Sequence, residues 1–221
     1  MSKLTLWHCA DTRSFRALWA LEELGLDYEL RMLPFPPRAF DKGYFEENPL
    51  GTVPLLVDGA TRMTESAAIP HYLATVHGGG RLALGPGHPE YGAYLNWLHH
   101  GEATLTFPQT LYLRYAKLEP EERRQPVVAD DYKRWFLGRL KLAEATLADG
   151  RDFLVGGTFT MADISVGYAL MLAQMIGLGP ELPPHSLGWL RRLKTRPGYL
   201  AAKEAQKAGP ALFQSPSPAR A

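Results

Sequence analysis

Two short runs carry residue types whose spacing could do chemistry. The first is Asn48-Pro49-Leu50-Gly51-Thr52-Val53-Pro54, leading into Leu55-Leu56-Val57-Asp58. The second is Thr64-Glu65-Ser66, at the start of an apolar stretch. A proline after Val53 removes one ladder donor where a strand begins, so main-chain groups there can turn outward and pair with the backbone of an extended ligand. Glu65 and Ser66 stand where a helix N-terminus presents unpaired N–H groups and the positive end of its dipole, which suits a carboxylate. Together the two runs suggest a site for a small peptide. Separately each has a plainer explanation: Val53-Pro54 as the start of a strand, and Glu65 as a first-turn acid that complements the dipole.

The elements that must position these runs alternate between strand and helix over residues 3–78. Lys3 to His8 reads as a strand, and Ser14 to Leu24 as a helix with Phe15, Leu18, Leu21 and Leu24 on one face, closed by Gly25. Asp27 to Leu33 reads as a second strand, parallel to the first through a right-handed crossover. After an irregular stretch come Val53 to Val57, a turn at Asp58-Gly59, a short strand from Ala60 to Met63, and a helix from Glu65 to about His77. The order βαβαββα implies a small mixed sheet with helices on its faces.

Gly78-Gly79-Gly80 and Gly85-Pro86-Gly87 interrupt the periodicity. They place a linker at 80–87 between domains at 1–79 and 88–208. The second half carries only helical patterns: about Pro89 to Lys117, Val127 to Leu147, Met161 to Gly177, and shorter ones around Leu187 to Thr195 and Gly198 to Lys207. Within it Thr160-Met161-Ala162-Asp163 is a capping-box variant, which gives Asp163 a structural role. The tail from Gly209 lacks core-forming residues and is expected to be mobile.

Composition restricts the setting. With 24 basic and 23 acidic residues the net charge of +1 gives no reason to expect nucleic acid or an anionic membrane surface. Cys9 is the single cysteine, so an internal disulfide is excluded, and a reducing, cytoplasmic location is expected. No run approaches the ~20 apolar residues of a membrane span, and the N-terminus lacks a signal-peptide pattern.

These residues are similar to a known family. Arg13-Ser14-Phe15-Arg16-Ala17-Leu18-Trp19-Ala20-Leu21-Glu22-Glu23-Leu24-Gly25, Asn48-Pro49-Leu50-Gly51 with Val53-Pro54, Glu65-Ser66, and the Phe159-Thr160 to Asp163 box resemble a cytosolic glutathione S-transferase of the bacterial theta-like or beta-like kind. The resemblance covers nearly the whole chain. It implies an α/β thioredoxin-like N-terminal domain and an all-α C-terminal helical domain, with glutathione as cosubstrate and no metal. It further implies that Val53 pairs its main chain with the cysteinyl part of glutathione and that cis-Pro54 holds this geometry. Ser66 would receive the γ-glutamyl carboxylate while Glu65 faces the α-ammonium. Thr52 stands where the family often has a basic or amide residue for the glycyl carboxylate, and Lys42, Arg38 or Arg13 could substitute. The implied reaction is conjugation of glutathione to a small apolar electrophile. Glutathione-dependent peroxidase, disulfide reductase or isomerase activity, and a noncatalytic binding role, are the alternatives. Such proteins are usually homodimers.

The thiol of glutathione needs help to ionise. Lowering a pKa near 8.5 to about 6.5 takes roughly 2.7 kcal/mol of preference for the anion. A helix N-terminus supplies at most ~2 kcal/mol, and a hydroxyl donating to the anion adds roughly 1.5–3. The candidates between the first strand and helix are Cys9, Asp11, Thr12 and Ser14. Thr12 is the first choice as thiolate donor and Ser14 the second. Asp11 would repel a thiolate and is read as a helix cap, Arg13 could add positive potential, and Cys9 is read as a buried small hydrophobe rather than a partner in a mixed disulfide. The acceptor is expected against the aromatic segment containing Tyr91, Tyr94, Trp97, Phe107, Tyr112 and Tyr115. His99 and His100 adjoin and cannot share a helical face, which argues against a metal there.

Overall fold

A computed structural model describes residues 3–210. The described residues form two compact units, 3–81 with 195–210, and 82–194.

The first unit is built on a four-stranded sheet of order β2-β1-β3-β4. β1 (Leu4–His8) pairs parallel with β2 (Tyr28–Met32) and antiparallel with β3 (Leu55–Asp58), which in turn pairs antiparallel with β4 (Thr61–Met63). The parallel pair is joined by α1 (Phe15–Leu24), which ends at Gly25 in the left-handed conformation with φ 64°. β3 starts at Leu55 rather than Val53, because Pro54 has no N–H to give the ladder. The irregular stretch before it holds two four-residue helices, α2 (Pro37–Phe40) and α3 (Tyr44–Glu47). The helix expected from Glu65 begins regular structure at Ala68: α4 (Ala68–Tyr72) runs into a wider π turn over Leu73–His77.

Successive residues of a strand face opposite sides of a sheet. Trp7 therefore joins Cys9, Leu33, Tyr44 and Leu55 in one apolar cluster, whereas Leu4, Leu6 and His8 take the other face. A last helix, α10 (Pro197–Ala205), packs along α1. Tyr199 meets the rings of Phe15 and Trp19 edge-on, at 5.6 and 5.1 Å between centroids. Arg196 clamps Glu23 with two hydrogen bonds of 2.8 Å. Gly198 permits this approach, since a Cβ there would lie 2.6 Å from the Glu23 side chain. The periodicity groups this segment with the helical half, but its packing puts it on the sheet-bearing unit.

The second unit is helical: α5 (Tyr91–His99) and α6 (Phe107–Leu113) with π turns after each, then α7 (Pro126–Leu147), α8 (Met161–Met175) and α9 (Pro184–Leu193). α8 is apolar nearly all round and buried through Ala173, as a central helix must be. Its start is the expected capping box. Thr160 Oγ1 accepts from the Ala162 N–H at 3.3 Å, and Asp163 Oδ2 accepts from the Thr160 N–H at 2.8 Å. Asp163 also accepts from the Leu154 N–H at 2.9 Å, so its buried carboxylate ties the preceding loop to the helix. Among the described residues no helix is long and apolar enough to cross a membrane. From residue 211 onward the expected tail lies outside the described residues.

Candidate functional site

A small open cleft on the first unit brings the two sequence runs together. It is lined by Arg13, Leu50, Thr52, Val53, Pro54, Thr64, Glu65 and Ser66. Asn48 shapes one wall: its Oδ1 accepts from the Leu50 N–H at 3.1 Å and its Nδ2 donates to the Thr52 carbonyl at 2.7 Å. The Tyr44 hydroxyl donates to the same carbonyl at 2.8 Å. Gly51 turns the chain with φ 58°, and any Cβ there would strike the Phe45 ring at 2.7 Å. The Val53-Pro54 peptide bond is cis. Among the described residues neither main-chain group of Val53 has a hydrogen-bond partner, so a donor and an acceptor stand side by side at the cleft. Buried or half-buried backbone polar groups seldom stay unpaired, which makes this a place for a ligand or water to bond.

Opposite Val53 the residues before α4 carry polar chemistry. The Glu65 carbonyl accepts from the N–H groups of Ala68 and Ile69 at 3.1 and 3.0 Å, which starts the helix. Glu65 itself is exposed, whereas Ser66 is buried. Behind Ser66 lies Arg16, fully buried on α1, whose Nη1 donates to Ser66 Oγ at 3.1 Å. Ser66 thus presents a hydroxyl backed by a positive charge, which favours an anion in front of it.

The loop from Cys9 to Ser14 is fixed from α10 and the turn after it. Gln206 Nε2 donates to Asp11 Oδ1 at 2.6 Å, and Gln206 Oε1 accepts from the Asp11 N–H at 3.0 Å. Lys203 Nζ reaches the same carboxylate at 2.6 Å. This grip holds Asp11 at φ 59°, a left-handed conformation that aspartate tolerates better than most residues. It also orients the Gln206 amide, so that Oε1 faces His8 Nε2 at 3.2 Å. An amide oxygen can only accept, so His8 carries its proton on Nε2. Nδ1 must then accept, and the Ser14 hydroxyl donates to it at 2.6 Å. Burial pushes the His8 pKa down to about 4, and the ring is neutral near pH 7.

These bonds direct both loop hydroxyls inward. Ser14 is fully buried, gives its proton to His8, and accepts from the Cys9 N–H at 3.3 Å. Thr12 Oγ1 shares its proton between the Cys9 carbonyl at 2.9 Å and Ser14 Oγ at 2.8 Å. Neither residue lines the cleft. Asp11, expected as a helix cap, binds Gln206 and Lys203 instead, and the start of α1 has no side-chain cap. Lys42 is exposed ahead of α3 and is not brought to the cleft, whereas Thr52, Val53, Pro54, Glu65 and Ser66 all line it. Cys9 is fully buried with Sγ 3.5 Å from the Pro34 carbonyl, and desolvation pushes its thiol up to about 12. Among the described residues no cluster of metal-ligating side chains occurs.

Sequence reasoning missed three contributors. Arg16 had a usable signal, since an arginine on the apolar face of α1 must have a buried partner. Lys203 and Gln206 had none, because their partners lie more than 190 residues away.

A four-stranded mixed sheet with a cis Val-Pro bond just before its inner strand β3, joined in one chain to an all-helical unit, defines a two-domain protein of the thioredoxin-like class. Residues 2–75 match the family described as "Glutathione S-transferase, N-terminal domain" and residues 136–213 match "Glutathione S-transferase, C-terminal domain". The chain is 33% identical to glutathione S-transferase 4 of Zea mays over 206 residues, 86% of each chain. It is 25% identical to glutathione S-transferase 3 of Schizosaccharomyces pombe, over 91% of this chain and 87% of that one. Among solved structures, it is similar to the theta class glutathione S-transferase of Xanthomonas axonopodis pv. citri with glutathione bound. The TM-score is 0.76 at 28% identity, over 91% of this chain and 97% of that one. It is also similar to the glutathione transferase URE2P6 of Phanerochaete chrysosporium in complex with oxidized glutathione, with TM-score 0.81 and 26% identity over 94% and 97% of the two chains. The chain belongs to the glutathione S-transferase family.

Proposed function

We propose that the protein is a glutathione transferase that conjugates the thiolate of bound glutathione to a small apolar electrophile. The observation that carries this reading is the cleft itself. It sets the unpaired N–H and carbonyl of Val53 beside Ser66, with Arg16 behind it and Glu65 in front. A γ-glutamyl peptide has matching groups: a backbone to pair with Val53, a carboxylate for Ser66, and an ammonium for Glu65. Thr52 borders the same cleft, beyond Val53. The protein then contributes mainly position and electrostatic support to a reaction whose nucleophile belongs to the cosubstrate. Family membership supports a two-fold homodimer as the working form.

Calorimetric titration with reduced glutathione, followed by turnover of a chlorinated dinitroaromatic acceptor, tests the proposal. Saturable binding that weakens in Glu65→Ala and Ser66→Ala, with turnover above the solution rate, is the expected result. Binding unchanged in both variants would count against the cleft as the glutathione site.

The inward commitment of Thr12 and Ser14 favours one second reading, a glutathione-binding protein without turnover. Binding with no rate above solution for the dinitroaromatic acceptor, a peroxide or a small disulfide would select it.

A further inference from the structure

The loop hydroxyls look inward, so a transferase reaction in this cleft needs another group to hold the sulfur anion. We propose that Arg13 is that group: its guanidinium stabilises the thiolate of bound glutathione in place of a hydroxyl. The inference rests on the glutathione reading of the cleft.

Two observations lead to it. The first is the chain of bonds from Lys203 and Gln206 through Asp11 and His8 to Ser14. Each link fixes the direction of the next, and the last leaves Ser14 Oγ with lone pairs only, toward Cys9 and Thr12. Thr12 turns its proton inward, shared between the Cys9 carbonyl and Ser14 Oγ, so what it could offer a sulfur is a lone pair. An acceptor in front of a thiol favours the protonated thiol and raises its pKa. The loop is therefore built against hydroxyl activation. Freeing the Thr12 proton would cost the Cys9 bond, and freeing that of Ser14 would leave His8 Nδ1 unpaired inside the protein.

The second observation is the composition of the cleft. Of the residues that line it, Arg13 is the one that carries a positive charge. It is exposed, and its carbonyl accepts from the Arg16 N–H at 3.2 Å in the first turn of α1. A ligand that pairs its middle residue with Val53 and its γ-glutamyl carboxylate with Ser66 leaves the sulfur to meet what remains of the lining. A guanidinium stays protonated at any working pH and donates several N–H bonds, so it favours the anion without giving up a proton of its own. The thiol proton passes to solvent and the electron pair stays on sulfur. Attack on a chlorinated aromatic carbon then forms the C–S bond as chloride leaves.

The test is the pKa of glutathione bound to the full-length protein, read from the ultraviolet absorbance of the thiolate as pH is varied. Calorimetry run alongside separates affinity from ionisation. Arg13→Ala and Arg13→Gln should raise the bound-thiol pKa by roughly one unit, a tenfold smaller thiolate-to-thiol ratio, while Arg13→Lys restores most of the difference. Turnover below the bound-thiol pKa should fall by a similar factor in Arg13→Ala. A bound-thiol pKa that is the same in Arg13→Ala and Arg13→Gln as in the parent overturns the assignment, whatever Thr12→Val does. A weakened affinity at unchanged pKa also overturns it, because that would make Arg13 a partner of the glycyl carboxylate. Failure of the parent protein to bind glutathione overturns the underlying reading, and this one with it.

Discussion

Arg16 and Ser66 are fifty residues apart in sequence and joined by a 3.1 Å hydrogen bond inside the protein. The bond runs from the apolar face of α1 to the rim of the cleft, so the helix carries a charge to a position where α4 offers only dipoles. Arg16→Met and Ser66→Ala should each weaken glutathione binding by about 1.5–3 kcal/mol, the range for a hydrogen bond to a charged group. Because Arg16 acts through Ser66, the double variant should lose far less than the sum. A double-mutant cycle by calorimetry measures this, and full additivity would show that the two residues act independently.

Gln206 makes three contacts at once, with the Asp11 N–H, the Asp11 carboxylate and His8. Gln206→Leu fills similar space and removes all three. It should lower stability by about 1–3 kcal/mol for the buried groups left unpaired, and urea denaturation reads this directly. A change within a few tenths of a kcal/mol would mean that water or neighbouring side chains restore the bonds.

His8 links stability to pH. The unfolded chain takes up its imidazole proton near 6.5, whereas burial holds the folded pKa at about 4. Between these values the unfolded state binds more protons, so stability rises with pH through the window and is complete above about 6.5. Lowering the pH from there to roughly 5 should remove about 2 kcal/mol of stability. Urea midpoints across that range check it. A flat profile would mean that the ring titrates normally.

The Cys9 thiol, pushed up to about 12 and enclosed between strand and loop, should resist alkylation. With iodoacetamide at mildly alkaline pH the folded protein should stay unmodified, and the urea-unfolded protein should react completely. Labelling of the folded chain, read by intact mass, would reopen a mixed-disulfide chemistry for this residue.

Much of this was legible in the residues. The Val53-Pro54 and Glu65-Ser66 pairs signal a ligand cleft because proline and a helix start have fixed consequences for the backbone. Thr160 and Asp163 form their box because capping is local, decided within three residues. The direction of a hydroxyl is not local. Whether Thr12 faces a ligand depends on which nitrogen of His8 holds the proton, which depends on how Gln206 is turned, which depends on Asp11 and Lys203. Spacing cannot convey a chain of dependencies that spans nearly the whole sequence. Lys42 illustrates the opposite case: a cation close in sequence to the cleft-lining run, yet not among the residues that line the cleft.

The packing of α10 on α1 has a consequence for how the protein is made. A ribosome releases the sheet, α1 and the cleft-lining runs well before Lys203 and Gln206. Until they emerge, Asp11 and His8 lack the partners that set the loop. Synthesis can complete the Val53 and Ser66 wall of the cleft while the loop from Cys9 to Ser14 still waits. A nascent chain stalled before residue 195 should therefore have a folded sheet and an unsettled β1–α1 connection, which settles only when α10 has emerged.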